Sequence, residues 1–378
     1  MKLIHLSDLH LGKRVNGFSM LEDQTLILEQ ILAVVDAESP DAVLIAGDVY
    51  DRTTPPAEAV RLFDDFLVKL AARGTPVIVI SGNHDSAERL SFGARLMEGS
   101  GVTIAPVYDG TVTPVTLSDT FGTVRIWPLP FLRRAHVQRY FPETELRTET
   151  EAIAAVIDRM APDTEQRNVL VAHQFVTGAR QCDSEELQVG TADGVDANVF
   201  DPFDYVALGH LHGAQSVTRE TVRYCGTPLK YSFSEKDQVK SVTVVELGAK
   251  GETRIRTIAL NPRHDLRELR GNYDALTLRE NYTGTATEDY LSIVLTDEQD
   301  VPDALEKLRV IYPNIMQLRY DNTRTRADAL IDGAALDDRR EPLELFADFY
   351  ALQNGQEMTP EQRTLIQRLL TEIQEAEA

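Results

Sequence analysis

The chain opens with a rhythm of short apolar runs separated by longer amphipathic stretches. "KLIHLSD", "AVLIAGD", "PVIVISGNHD", "NVLVAHQ" and "DYVALGH" are almost unbroken in aliphatic and β-branched residues, as strands buried on both faces are. Between them, residues 21–37 set Leu26, Ile27, Ile31, Val34 and Val35 on one helical face. Residues 56–72 do the same with Val60, Phe63, Phe66, Leu67 and Leu70. Strand and helix in alternation predict an α/β core with a largely parallel sheet.

From about residue 217 to 260 the rhythm changes. "ETVRYCGTP", "VKSVTVVELG" and "ETRIRTIAL" are consecutive strand-like runs with glycine-containing turns, which predicts antiparallel β structure. A polar stretch over 272–287 sets off a smaller unit: "DYLSIVLT", a helix over about 302–311, then "IMQLRY". Residues 321–340 are charged and read as a linker. Thr359 and Gln362 of "TPEQ" form a capping box, with Pro360 at the first helical position. Leu365, Ile366, Leu369, Leu370 and Ile373 follow at helical spacing, and an earlier helix over about 342–352 carries Leu343, Phe346, Phe349 and Tyr350. The pair is either a hairpin on its own domain or one that docks on a partner, and the polar linker favours docking slightly.

Composition narrows the class. The 378 residues are 43% hydrophobic and 26% charged, which suits a soluble globular protein with more than one core. Cys182 and Cys225 stand in no CxxC pattern, so no disulfide framework is implied and a reducing cytoplasm fits. No apolar run spans a membrane, and the start lacks a signal peptide's core. A net charge of −22 argues against gripping nucleic acid unaided. It leaves room for a phosphate-handling enzyme whose positive charge comes from metal ions or a basic partner.

Candidate chemistry gathers where the strands end. The runs finish with Asp8 and His10, with Asp48, with Asn83, His84 and Asp85, with His173, and with His210 and His212. That edge of an open parallel sheet is where ligands bind. On extended backbone, residues i and i+2 face the same side, so Asp8 with His10 and His210 with His212 can each offer two groups. Taken singly, Asp48 is most often a turn residue and His173 a satisfied strand-end histidine; "GNHD" is more specific. Five of the eight histidines in these motifs is a pattern that points to metal. Carboxylate, imidazole and amide donors suit Mn²⁺ or Fe²⁺, then Zn²⁺, with Mg²⁺ the least suited. Seven ligands are too many for one ion and suit two, about 3.5–4 Å apart, sharing a carboxylate. With Asn83 neutral, such a site keeps a positive surplus, and phosphate is the ligand it fits. His5 is read as structural.

The ordered set "DLH", "GDVYD", "GNHD", "AHQ" and "GHLH" resembles the signature of the calcineurin-like metallophosphoesterases. "HLSDLHLGKR", "AGDVYDRTTPP", "PLPFLRR" and "VRYCGTPLKYSFSE" are similar to the bacterial SbcD family of nuclease subunits, over nearly the whole chain. The resemblance implies a four-layer αββα sandwich over 1–265, a small α+β capping domain over 272–325, and C-terminal helices over 341–378 that bind an SbcC-type ATPase. One metal falls to Asp8, His10 and His212, the other to Asn83, His173 and His210, with Asp48 bridging and two Mn²⁺ as the cofactor. His84 would face the scissile phosphate and protonate the leaving oxygen, Asp85 would orient its imidazole, and metal-activated water would attack. Helices near 56–72 and 86–97 would form a homodimer.

The activity so implied is Mn²⁺-dependent hydrolysis of DNA: exonucleolytic at duplex ends, endonucleolytic on hairpins and single strands. The competing readings are a metallophosphoesterase for small phosphodiesters or phosphoproteins, and a scaffold subunit. The capping unit speaks against the first, the complete ligand set against the second. Archaeal relatives carry a second histidine where Asp51 stands here, followed by Arg52, which either contacts a DNA phosphate or is a solvated loop residue. Lys13, Arg14, Arg133 and Arg134 are further candidates for DNA, each more often an ordinary surface charge.

Overall fold

The apolar runs are strands, and two sheets share them. In chain order the first are β1 (Lys2–Leu6), β2 (Arg14–Val15), β3 (Phe18–Ser19), β4 (Ala42–Ala46), β5 (Val77–Ile80) and β6 (Val102–Ile104). There follow β7 (Val115–Asp119), β8 (Gly122–Pro128), β9 (Arg167–His173), β10 (Tyr205–Gly209), β11 (Gln215–Val217), β12 (Arg219–Tyr224), β13 (Ser241–Leu247) and β14 (Thr253–Ala259). One six-stranded sheet runs β14-β13-β1-β4-β5-β6 and the other β11-β12-β10-β9-β8-β7. In this computed structural model the described residues are 1–183, 185, 194–323, 325, 343, 344, 346, 347, 350 and 358–377. They divide into two units, Met1–Leu266 and Arg267–Ala378.

Parallel pairing of β1 with β4, β4 with β5 and β9 with β10 brings the carboxyl ends of these strands to one edge. Leu3, Leu44 and Ile78 from one sheet pack with Ile126, Val171 and Ala207 from the other, all 0–1% exposed. At about 25 cal/mol per Å², burial of this kind is what holds the two sheets face to face. His5 lies in that interface. Its ring nitrogens sit 2.8 Å from the Tyr205 hydroxyl and 3.2 Å from the Leu208 carbonyl, a structural role. The helix Leu21–Glu38 buries Ile27, Ile31 and Val35, and the helix Ala57–Ala71 buries Phe63, Phe66 and Leu70, on the faces their periodicity indicated, except that Val60 is 44% exposed.

The fold is therefore mixed α/β, and it departs from the periodicity reading in two places. A single largely parallel sheet is replaced by two mixed ones, and the three strand-like runs between 217 and 260 do not form one antiparallel unit. β12 pairs in parallel with β10, whereas β13 pairs antiparallel with β1 and β14. The chain changes sheets after Tyr224, and β13, buried along nearly its whole length, has strands on both sides. Strands β6 to β8 went unread because β6 has three residues and β7, at a sheet edge, is only half-buried.

In the second unit, β15 (Leu266–Gly271), β16 (Tyr290–Leu295) and β17 (Ile315–Tyr320) form a three-stranded sheet, with the helix Ala304–Arg309 crossing between parallel β16 and β17. Leu291, Ile293, Leu308 and Ile315 close its core. The polar stretch over 272–287 holds two short helices, Tyr273–Thr277 and Arg279–Tyr282. The capping box is formed: the Thr359 amide donates to Gln362 Oε1 at 2.8 Å and the Gln362 amide to Thr359 Oγ1 at 3.3 Å, opening the helix Pro360–Glu377. Most of the linker over 321–340 and of the helix over 342–352 lies outside the described residues.

Candidate metal centre

At the shared strand edge the backbone is bent rather than extended. Asp8, His10, Asp48 and His210 all have positive φ, at 52°, 44°, 48° and 104°. Non-glycine residues adopt that region at a cost of about 1–3 kcal/mol each and do so mainly at functional sites. Asp8 and His10 thus converge through left-handed turns past the end of β1, not through the two-residue alternation of an extended strand. Glycine makes the approach possible. Gly47 has φ of 85°, and a Cβ on Gly209 would stand 1.9 Å from the Ala46 carbonyl oxygen.

All seven strand-end candidates come together. Ligand atoms of Asp8, His10 and His212 lie within 4.8 Å of one another, as do those of Asp8, Asp48 and His173 and those of His10, Asp48 and His84. Asn83 Oδ1 is 2.9 Å from His173 Nε2 and 2.9 Å from His210 Nδ1. Asp48 Oδ2 lies between the two groups, 3.3 Å from His173 Nε2 and 3.8 Å from His10 Nε2. Five of these side chains, those of Asp8, His10, Asp48, His173 and His212, are at most 3% exposed.

The donor atoms are arranged for cations. His173 Nδ1 is 2.9 Å from the Ala46 carbonyl, so it carries one proton, and Nε2 faces Asn83 and Asp48, both acceptors, where a cation takes the place of the ring's second proton. His10 Nε2 and His212 Nε2 face each other at 3.2 Å, while His212 Nδ1 is directed at Glu235 Oε1, 3.5 Å away. His10 Nδ1 is buried without a hydrogen-bond partner. Lone pairs opposed in this way are reconciled by positive ions between them, so the residues fit a two-metal centre.

Charge follows the same geometry. Burial, with His212 and Lys13 adding to it, holds His10 well below the ordinary imidazole range, and burial and His173 push His210 down to about 3. Both rings stay neutral and able to ligate. Burial and Asp48 raise Asp8, while burial of Asp48 is outweighed by His173 and His10, which hold its carboxyl well below the usual range.

His84 stands beside this cluster. Its amide donates to Asp48 Oδ1 at 2.8 Å, its Nδ1 lies 3.0 Å from the Asp51 carbonyl, and its ring is edge-on to His10 at 4.9 Å. Asp85 does not orient that imidazole, contrary to expectation. Its carboxylate accepts from the amides of Val49, Tyr50 and Gly82 at 3.1, 2.9 and 2.9 Å, tying the loop after β4 to the loop after β5. These three N–H groups engage both of its oxygens. The backbone of Asp51 orients His84 instead, and the Asp51 carboxylate joins Lys13 Nζ at 2.7 Å to His10 Nδ1 at 3.6 Å. Arg52 is 73% exposed at the rim, and Arg14 donates to Gly17 within its own hairpin, away from the cluster.

Three supporting residues escaped the sequence reading. Glu235, fully buried, faces His212 Nδ1 with one oxygen and Lys240 Nζ with the other at 2.5 Å; Lys240 also donates to the His212 carbonyl at 2.9 Å. Glu185 Oε1 accepts the His212 amide at 2.6 Å. A lone acid in "YSFSE" and a lone lysine before an apolar strand carry no spacing signal; only the buried setting reveals them.

Residues 1–214 match the calcineurin-like phosphoesterase family, and residues 262–354 match a domain described as the type 5 capsule protein repressor C-terminal domain. The chain is 32% identical over 384 residues to the SbcD component of the nuclease SbcCD from Staphylococcus epidermidis, covering 100% of both proteins. This chain belongs to the SbcD family of calcineurin-like phosphoesterases. It is likewise 34% identical over 382 residues to the corresponding SbcCD nuclease component of Staphylococcus saprophyticus, covering 99% of each. It is a metal-dependent hydrolase of the nuclease class, with an Asp and His cluster able to hold two metals. Among the described residues, no helix is long and apolar enough to cross a membrane.

Proposed function

We propose that the chain cuts DNA phosphodiesters as the nuclease subunit of an SbcC–SbcD complex, with two Mn²⁺ as its ions. One observation carries the reading: two sets of imidazole, amide and carboxylate groups converge on the single carboxylate of Asp48. Asp8, His10 and His212 would hold one ion, Asn83, His173 and His210 the other, with Asp48 between. When bound, the ions supply Lewis acidity and lower the pKa of water. The protein's own part is positional. The Asp51 carbonyl fixes the Nδ1 proton of His84, which leaves Nε2 to give a proton to the departing oxygen. Asp85 acts as a positioning residue by clamping the two loops that carry Asp48 and His84.

Exonucleolytic cutting of duplex ends and endonucleolytic cutting of hairpins follow from pairing with an ATPase that contributes DNA-binding surface in the cytoplasm. The helix Pro360–Glu377 leaves Leu365 and Leu369 47% and 42% exposed, which supports docking of residues 341–378 on that partner. Exposure of Val60, Val68, Phe92 and Leu96 supports a homodimer through the helices near 56–72 and 86–97. Residues 272–325 would cap the DNA channel. Lys13 and Arg52 remain candidate phosphate contacts through the Asp51 corner, Arg14 a weaker one. A small-phosphodiester enzyme would need neither the second unit nor the terminal helix.

The test is cleavage of an end-labelled DNA hairpin with Mn²⁺, with and without the ATPase, comparing the parent protein with His84→Ala. The expected result is cleavage that falls about 10²–10⁴-fold in the variant. No DNA cleavage in any combination, alongside hydrolysis of a small phosphodiester, would overturn the proposal.

A further inference from the structure

A cleft of ≈ 610 Å³ opens beside Asn83, within the size range of about 300–1,000 Å³ usual for ligand sites. One wall is the segment after β8, and it is pinned along its length. The Leu129 amide donates to the Val171 carbonyl at 2.9 Å, the Phe131 amide to the Ser81 carbonyl at 2.9 Å, and Gln174 Nε2 to the Leu132 carbonyl at 2.9 Å. Phe131 is partly exposed, edge-on to His173 with ring centroids 6.0 Å apart, and the Arg133 guanidinium lies 5.8 Å from the centre of its ring.

The lining is net basic, with Arg89, Arg133 and Arg139 against Asp85 and Glu88. Arg133, His136 and Arg139 are exposed there, and neither arginine has a carboxylate partner among the described residues. Elsewhere in this acidic chain arginines meet acids: Arg73 pairs with Asp36, Arg167 with Asp119, Arg256 with Glu38. The neighbouring Arg134 is already used, donating to the Leu146 carbonyl at 3.1 Å. Of the cleft's carboxylates, Asp85 accepts from three amides and Glu88 accepts from Ser86 at 3.0 Å.

We propose that this cleft is a subsite for an unpaired stretch of nucleic acid adjoining the metal centre, with a base stacked on Phe131 and backbone phosphates held by Arg133 and Arg139. The inference rests on the nuclease reading and adds to it the strand's path and its form. A partly exposed aromatic ring accepts a base only when that base is out of the duplex, and the arginines beside it match the phosphates on either side. An acidic protein segment would meet the same cations but has no use for the ring.

The test measures anisotropy of a labelled oligothymidylate bound to the full chain with Mn²⁺, in a His84→Ala background so that the strand is not cut. Arg133→Ala with Arg139→Ala is expected to weaken binding at least tenfold and to lower the salt slope by about 1.4, two phosphate contacts at about 0.7 each for a single strand. Phe131→Leu is expected to weaken binding about tenfold with the slope unchanged. Arg133→Lys with Arg139→Lys is expected to keep the slope. Mn²⁺ stoichiometry by electron paramagnetic resonance checks that each variant folds. Unchanged affinity in the double alanine and Phe131→Leu variants overturns the subsite, as does polyglutamate competing equally well with no effect of Phe131→Leu. If the hairpin is cut yet these variants bind normally, the subsite fails while the nuclease reading stands. No binding by the parent and no hairpin cleavage sinks both.

Discussion

The two halves of the candidate metal centre are held by different means. Around His173 the supports are main chain, although the His210 amide beside it donates to the Asp8 carboxylate at 3.0 Å. β9 and β10 pair as far as Gly209 opposite His173, the Ala46 carbonyl fixes His173 Nδ1, and Gly47 and Gly209 leave the space. Around His10 and His212 the supports are charged side chains, all but Lys13 distant along the chain: Glu185, Glu235 and Lys240 on His212, Asp51 and Lys13 on His10. Main-chain support comes with the sheet and fails only if the sheet's geometry fails. Side-chain support can be removed one group at a time, and with it the tuning of a single ion.

The harshest way to test that contrast is Gly209→Ala. Its Cβ would lie 1.9 Å from the Ala46 carbonyl oxygen and 2.7 Å from His173 Nδ1, so two strands must separate. The expected loss of stability is about 1–3 kcal/mol or more, together with metal binding on the His173 side. Urea unfolding and Mn²⁺ titration would report both. A variant that still takes up two ions at parental affinity would erase the distinction.

Glu235→Gln probes the other half and is milder. The amide keeps the shape but no longer stabilises the Nδ1 proton of His212, and such supporting groups typically contribute about 10–100-fold to metal affinity. We expect one ion to weaken by that factor and the other to hold. Because Lys240 would lose its buried carboxylate, stability falls as well. Adding Lys240→Met separates the two effects. It should recover stability but not the affinity, and recovery of both would reduce Glu235 to a packing residue.

The same contrast explains what could be read from sequence. Asp48, His173 and His210 announce themselves because apolar strands end immediately before them, and a parallel sheet aligns such ends whatever the loops do. Asp8 and His10 were legible as ligands, but the left-handed turns that aim them were not, since single residues at positive φ leave no mark in a pattern of apolar and polar positions. The family resemblance gave Asp85 to His84 as its partner, yet a neighbour along the chain need not be a partner inside a tight turn. Its three amide bonds reach across 36 positions to Val49, 35 to Tyr50 and 3 to Gly82. Glu235 and Lys240 were invisible, for their meaning lies in contacts made by folding. The two sheets themselves came from the family resemblance; periodicity alone saw one, because it cannot tell which strand a neighbour pairs with.

A smaller effect, and the most discriminating between the two halves, concerns protons. Burial resists charge on His173, but Asp48 overrides it and raises the imidazole from 6.5 to about 9. In the metal-free protein at pH 7 this ring carries a second proton, and an ion entering the His173 side must displace it. Apparent affinity for that ion should therefore climb about tenfold per pH unit between about 6.5 and 9, then level off. His10 is held well below 6.5 and has no such proton to lose, so the other ion should show a flatter profile over the same window. Stability of the metal-free protein should move the opposite way. A folded pKa above the unfolded value contributes fully below about pH 6.5 and fades as the pH rises through 9. Calorimetric titration in buffers of different ionisation enthalpy counts the protons released by each ion. One proton for the ion on the His173 side and fewer for the other is the expected count. Equal counts would mean that Asp48 serves both halves alike, and that the division between main-chain and side-chain support has no consequence for how the ions bind.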